Sequence, residues 1–261
     1  MRPIALLTDF GLSDPYVGQM KGVLTIKAPG APLIDLTHEV EPFQVGQASF
    51  FLAASVAHFP ADTIFVAVVD PGVGTQRRIV LVQCNDNYFL APDNGLLGFV
   101  MHGTTAFAWD VSTHARGASS TFHGRDVFAP LAAKLATGES PSTLGEPINP
   151  TDLLHVEAST PTELSEDQAG CMVQAHVLHI DRFGNVVLSL LPGELFERIA
   201  PAEAAFQGAP RMVRAYGDLE HGELGLLSGS QGFMELAVNQ GSAAEMLELS
   251  LGDIFALGMP D

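Results

Sequence analysis

From Ile4 to Gly138 the chain alternates short apolar runs with stretches of helical spacing, and this alternation constrains the fold more than any other feature. IALLTDF is an apolar run that ends in a polar loop. In DPYVGQMKGVLTIKA, Tyr16, Met20 and Val23 fall on one helical face. PLIDLTHEV reads as a strand, and FQVGQASFFLAASVAHF as a nearly all-apolar helix. TIFVAVVD is a continuous β-branched run, the pattern of a parallel strand buried on both faces. RIVLVQC, YFLAP and TAFAWDV follow at short intervals, and GRDVFAPLAAKLATG reads as a helix closed by Gly138. Strands that alternate with helices predict an α/β fold, a mainly parallel sheet flanked by helices.

The texture changes between Glu139 and Gln168, where Pro, Ser, Thr and acidic residues replace apolar periodicity. That stretch reads as a linker or domain boundary. Beyond it come CMVQAHVLHID, NVVLSLL, RMVRAYGDL, GELGLLSGS, GFMELAVN and DIFALGM, short strands joined by glycine or aspartate turns, with one short helix at GELFERIA. They predict a smaller antiparallel β-barrel. The expected organisation is an N-terminal α/β domain over 1–160 and a C-terminal barrel domain over 161–261.

A content of 47% hydrophobic and 16% charged residues is enough for a substantial core and excludes a disordered chain. The net charge of −18 opposes nucleic acid or an anionic membrane as partner. The two cysteines, Cys84 and Cys171, sit in apolar runs and read as core thiols. No run reaches the roughly 18 apolar residues of a membrane span. The apolar run at the N-terminus, cut off by Asp9, is too short for a signal peptide. A soluble, cytoplasmic protein is expected.

In parallel α/β sheets ligands bind beyond the carboxyl ends of the strands. The polar residues just past the apolar runs are Asp9, Asp35, His38, Asp70, Asp93 and Asn94. Each aspartate could equally be a helix cap or turn former. VVDPGVGTQRR resembles a phosphate-binding turn but lacks the Lys-Ser/Thr pair and a third glycine after Gly72 and Gly74. What the turn does is fold Arg77 back toward Asp70, and an arginine beside a carboxylate favours its charged form. A structural salt bridge would use the same pair. In FHGRDVFAP, His123 precedes a helix start, where backbone amides point outward. In HIDRFGN, Asp181 and Asn185 bracket a tight turn and are common turn formers. His176 and His179 are oddly spaced on a strand and point to opposite faces, so no metal site is expected there. HExxH, CxxC and GxSxG are absent from the sequence. SGSQGFMELAVNQG mixes small polar residues with a strand and could close a small-molecule site.

Taken in order, TDFG, DPGVGTQR, PDNG, FHGRD, DRFGN and SQGFMELAVNQG resemble the S-adenosylmethionine hydroxide adenosyltransferases, a family of adenosine-forming hydrolases related to the fluorinase and chlorinase enzymes. The resemblance runs from Ile4 to about Gly258. It implies hydrolysis of S-adenosylmethionine to adenosine and methionine, with water or hydroxide attacking the ribose C5′. By resemblance the catalytic set falls on Asp70, Arg77 and His123, with Arg78 in place of Arg77 if the loop register differs by one. It also implies that Asp9 holds the ribose hydroxyls, Asn185 reads the adenine edge, Asp181 takes the methionine ammonium and Ser230 its carboxylate. Phe43 and Phe183 become apolar walls, and Asn94, Gln231 and Val238 join the substrate-binding set. No metal or organic cofactor is implied, and the oligomer is a homotrimer with sites at subunit interfaces.

The halogenating relatives carry tyrosine where this chain has Asp70, and the fluorinase has serine where this chain has Gly124. A carboxylate at the nucleophile position would repel halide. The DRFGN turn is also one residue shorter than in those relatives. Two other readings stand beside hydrolysis: a binding protein for S-adenosylmethionine or adenosine without turnover, and halide-dependent adenosyl transfer.

Overall fold

The computed structural model describes residues 1–156, 172–193 and 210–258. The chain divides into two compact units, residues 1–159 and 160–261. The 160/161 boundary expected from sequence, Cys171, and the GELFERIA helix beyond Gly193 all lie outside the described residues.

The first unit contains a seven-stranded sheet. Its strands in chain order are β1 (Ile4–Thr8), β2 (Leu33–Thr37), β3 (Ile64–Val68), β4 (Ile79–Cys84), β5 (Asn87–Pro92), β6 (Phe107–Asp110) and β7 (Glu146–Ile148). The spatial order is β2-β1-β3-β5-β4-β6-β7. Helices α1 (Tyr16–Lys27), α2 (Val45–Val56), α3 (Gly98–Met101) and α4 (Ala129–Ala136) flank it. Alternate residues of β1 and β3 serve opposite faces. Ile4, Leu6, Ile64 and Val66 pack with Met20 and Leu24 of α1 and Leu131 and Leu135 of α4. Ala5, Leu7, Phe65 and Ala67 pack with Ala48 and Leu52 of α2 and Val100 of α3. A strand covered on both faces needs apolar residues at every position, which is why IALL and IFVAV carry no alternation.

The α/β expectation holds, with a refinement. Parallel pairing covers β2, β1, β3 and β5, whereas β4, β6 and β7 join antiparallel. A parallel crossover takes a dozen or more residues. The link between β4 and β5 is Asn85-Asp86, both at positive φ (49° and 58°), a tight hairpin turn. The stretch read as a linker also contributes structure: Pro141–Leu144 is a helical turn and β7 is the edge strand of the sheet. Its prolines suit that place, because Pro147 cannot donate to a ladder and is tolerated at an edge.

The second unit contains β8 (Met172–Ile180), β9 (Val186–Leu188), β10 (Arg211–Met212), β11 (Leu224–Ser228), β12 (Met234–Val238) and β13 (Ile254–Gly258). They form a curled six-stranded sheet, a half-barrel, in the order β10-β11-β12-β9-β8-β13. Its core includes Val173, Val177, Val186, Leu188, Leu226, Met234 and Leu236. Among the described residues, no helix is long and apolar enough to cross a membrane.

Candidate active site

β1 and β3 run parallel in register, with Thr8 opposite Val68. Asp9 and Asp70 therefore leave the sheet at the same edge. Beyond that edge lies a cleft of about 710 Å³ lined by Asp9, Phe43, Asp70 and His123, together with Phe10, Tyr16, Gln19, Phe122 and Arg125. Phe10, Tyr16 and Phe122 meet edge to face, with ring centroids 5.2 to 6.0 Å apart. Edge-to-face contacts of this kind order an aromatic wall. A volume of this size suits a nucleoside-sized ligand.

Arg77 ties Asp70 to His123. Its Nε donates to Asp70 Oδ1 at 2.6 Å, and Nη2 donates to Asp70 Oδ2. Nη2 also lies 3.1 Å from His123 Nδ1. The side chains of Asp70 and Arg77 are 4% and 10% exposed. A guanidinium only donates, so Nδ1 is the acceptor and the neutral ring carries its proton on Nε2. Burial pushes the His123 pKa below the usual histidine value and the Arg77 charge lowers it further, against the pull of Asp70 and Asp126. His123 is thus held neutral with an N–H to offer. Arg77 Nη1 is buried without a hydrogen-bond partner among the described residues. An orphaned charged donor is costly unless a ligand or water accepts from it. Arg78 turns the other way, its Nε donating to Asp93 Oδ2 at 2.7 Å and its Nη2 to Asp152 O.

Gly74 allows this arrangement. Its φ is +79°, and a Cβ there would sit 2.2 Å from Ser120 O. The turn after Asp70 therefore rests directly on the backbone that leads into His123. The chain there continues into a π-helical turn, Gly124–Phe128, and then α4. His123 occupies the cap position but makes no capping hydrogen bond with its side chain, which stays available to Arg77.

Asp9 Oδ2 accepts the Phe43 N–H at 3.0 Å. Burial pushes the Asp9 pKa above the usual carboxylate value and the Asp70 charge adds to this, while the Phe43 and Asp9 N–H groups oppose it. Phe43 has φ +69° and is 69% exposed, so its ring is not part of the core.

Asp35, His38, Arg78 and Asp93 stand apart from this cluster, and so does Asn94. Its Nδ2 donates to Val69 O at 2.9 Å and its Oδ1 accepts from Leu96 N at 3.3 Å. It braces the end of β3 and does not line the cleft.

The remaining candidates belong to the second unit. Asp181 Oδ1 accepts from the N–H groups of Phe183 (2.8 Å) and Asn185 (2.9 Å), and Oδ2 accepts from Asn185 Nδ2 at 3.0 Å. Asn185 is buried, whereas Phe183 is 77% exposed. Ser230 and Gln231 are exposed in the turn between β11 and β12, and Val238 is buried at the end of β12.

Sequence reasoning missed Phe10 and Phe122, although they stand inside TDFG and FHGRD, and placed Tyr16 on a helical face with Met20 and Val23 without assigning it to the site; Tyr16 is half exposed. It also missed buried Glu235, which accepts from Tyr216 Oη at 2.6 Å and whose pKa burial pushes up. A glutamate between Met234 and Leu236 in an apolar strand was the available signal.

Residues 4–145 match the SAM hydroxide adenosyltransferase N-terminal domain, and residues 175–256 match the C-terminal domain of the same family. The chain is 37% identical over 274 residues to an (R)-S-adenosyl-L-methionine hydrolase of Thermus thermophilus, covering 97% of this chain and 98% of that one. It is 38% identical over 256 residues to a protein of the same name from Salinispora tropica, covering 96% and 95%. Similarity to a fluorinase of Actinoplanes sp. is lower, 26% over 212 residues, covering 70% of each. A crystal structure of a conserved protein from Thermotoga maritima superposes with a TM-score of 0.81 at 35% identity, covering 98% of this chain and 99% of that one.

Proposed function

The chain belongs to the SAM hydroxide adenosyltransferase family, and from that premise we propose that it is an enzyme that hydrolyses S-adenosyl-L-methionine to adenosine and L-methionine. The observation that carries this reading is the Asp70–Arg77–His123 hydrogen-bonded set at the edge of a nucleoside-sized cleft. Water attacks the ribose C5′; the C5′–O bond forms as the C5′–S bond breaks. The bonding pair moves to sulfur and turns the sulfonium into the thioether of methionine. Sulfur leaves without protonation, so the reaction needs no general acid and no cofactor.

The chemical task is to hold a weak nucleophile in line with the C–S bond. Such positioning can contribute up to about 7–11 kcal/mol. Asp70 accepts the proton that water loses. His123 Nε2–H and Arg77 Nη1, which has no partner among the described residues, are donors for the oxygen, and Asp9 has the two acceptor oxygens that a ribose cis-diol calls for. Phe43 forms an apolar wall, and Asn94 supports the site from behind. In the second unit Asp181 receives the substrate ammonium, Asn185 the adenine edge and Ser230 the carboxylate, with Phe183, Gln231 and Val238 around them.

The finer organisation we propose is a cytoplasmic homotrimer whose sites combine residues of adjacent subunits. Its support is that the motif residues are divided between the two units of the chain. The test is incubation of the protein with S-adenosylmethionine, with and without chloride, following adenosine, methionine and 5′-chlorinated nucleoside. Adenosine and methionine in equal amounts, independent of chloride, are expected. Adenosine formed no faster than in buffer removes the hydrolase reading, and chlorinated nucleoside replaces it with halide transfer.

A further inference from the structure

The loops after β1 and β2 are bound to each other through a histidine that no step above uses. His38 is 3% exposed, and its Nδ1 lies 2.8 Å from the Oγ1 of Thr8, itself wholly buried. Thr8 Oγ1 also accepts the Phe10 N–H at 3.3 Å. The Asp35 carboxylate beside Nε2 favours the ring proton on that nitrogen, which leaves Nδ1 to accept from the Thr8 hydroxyl. Nε2 faces Asp35 Oδ1 at 3.2 Å, too poorly aligned for a hydrogen bond but close enough for electrostatic attraction. The other Asp35 oxygen takes Lys21 Nζ at 2.6 Å. The His38 carbonyl accepts the Gly11 N–H at 2.7 Å. Both flanks of Asp9 are thus fastened to His38, one through its ring and the other through its backbone. The Asp9 carboxylate is fastened to Phe43 on the same β2–α2 connection.

We propose that His38 is a positioning residue for Asp9, holding the carboxylate in the direction that recognises a ribose cis-diol. This rests on the nucleoside reading of the cleft. A histidine that merely filled the core would support the fold without distinguishing one sugar from another. A histidine that aims Asp9 affects ligands with the full diol and spares those without it.

The experiment is calorimetric titration with adenosine and 2′-deoxyadenosine of the wild type and the His38→Ala, His38→Asn, Asp9→Ala and Asp9→Ala/His38→Ala variants. The wild type is expected to bind adenosine more tightly than 2′-deoxyadenosine. His38→Ala should weaken adenosine about tenfold, the scale of one buried hydrogen bond, and leave 2′-deoxyadenosine unchanged. His38→Asn, whose amide occupies the place of Nδ1, should restore adenosine binding. Against Asp9→Ala, His38→Ala should add nothing, because coupled residues fail to add. If His38→Ala does not fold, the comparison passes to His38→Asn and His38→Gln, of which only the first should bind as the wild type does. Equal losses for the two nucleosides, a full additional loss on top of Asp9→Ala, or a wild type without preference for the diol would each overturn the proposal. The wild-type hydrolysis assay stands apart: a protein that sorts the nucleosides as expected yet yields no adenosine from S-adenosylmethionine upholds His38 and removes the reaction.

Discussion

Two short turns in this chain open with aspartate and contain a glycine at positive φ, yet they use the carboxylate in opposite ways. After β3, Asp70 holds a side chain seven residues along, and that side chain reaches on to His123. Between β8 and β9, Asp181 bonds the N–H groups and the amide of its own turn. The first carboxylate binds outward and leaves an arginine nitrogen without an acceptor among the described residues. The second binds inward and closes the turn on itself. Each turn also leans on a neighbour through its glycine, Gly74 on the carbonyl of Ser120 and Gly184 on Ser242. An aspartate–glycine turn is therefore ambiguous in sequence, and what separates the two is where the carboxylate's partners come from.

The sharpest way to break this contrast is to remove each carboxylate. Asp70→Ala should lower kcat by about 10³-fold, within the span of general-base catalysis, while adenosine binding stays within about threefold. Asp181→Ala should act chiefly on KM for S-adenosylmethionine. Steady-state kinetics that show an equal loss of kcat in both would erase the distinction. The glycines come next. Gly74→Ala and Gly184→Ala each force a side chain into left-handed backbone against a close neighbour, at a cost of about 1–3 kcal/mol measured by chemical unfolding. Only Gly74→Ala should also slow turnover, because the carbonyl that it displaces belongs to the segment carrying His123.

The smallest effect is in pH. The folded protein holds the His123 proton less tightly than the unfolded chain does. Stability from this group is complete above about pH 6.5 and is lost as pH falls from there toward the folded-state pKa. Asp9, raised by burial, does the reverse: its contribution is present below about pH 3.9 and is lost as pH rises through its folded-state value. His123→Asn should therefore flatten the fall of the unfolding free energy just below pH 6.5, by less than about 1.4 kcal/mol per pH unit, as measured by chemical unfolding across that range. An unchanged slope would place the His123 titration outside the folding equilibrium.

The parallel half of the first sheet was legible because strands buried on both faces announce themselves as continuous apolar runs. The antiparallel half was written in the two-residue Asn85-Asp86 link, a hairpin signal that the strand–helix alternation overshadowed. β7 is three residues long, with a proline at its centre, and carries no periodicity to read. In the site, turn geometry favoured Arg77 over Arg78 as the partner of Asp70, and the structure directs Arg78 to Asp93 instead. The linkage of His38 to Thr8 was not legible, since it joins residues 30 positions apart whose strands become neighbours only in the folded sheet. Nor was the cluster of Phe10, Tyr16 and Phe122, which spans 112 positions and closes only when α1 packs beside the turn that leads into α4.

The π-helical turn between His123 and α4 separates two requirements that a regular helix would bind together. Leu131 and Leu135 must face the sheet, and their register fixes the rotation of α4 about its axis. A π turn is equivalent to one residue inserted into an α-helix, and one residue is about 100° of rotation. The turn thus works as a phase adjuster, allowing the direction of His123 to be set without repacking the helix behind it. Deleting one residue from Gly124–Phe128 would leave the core stripe of α4 intact and swing the histidine out of line with Arg77.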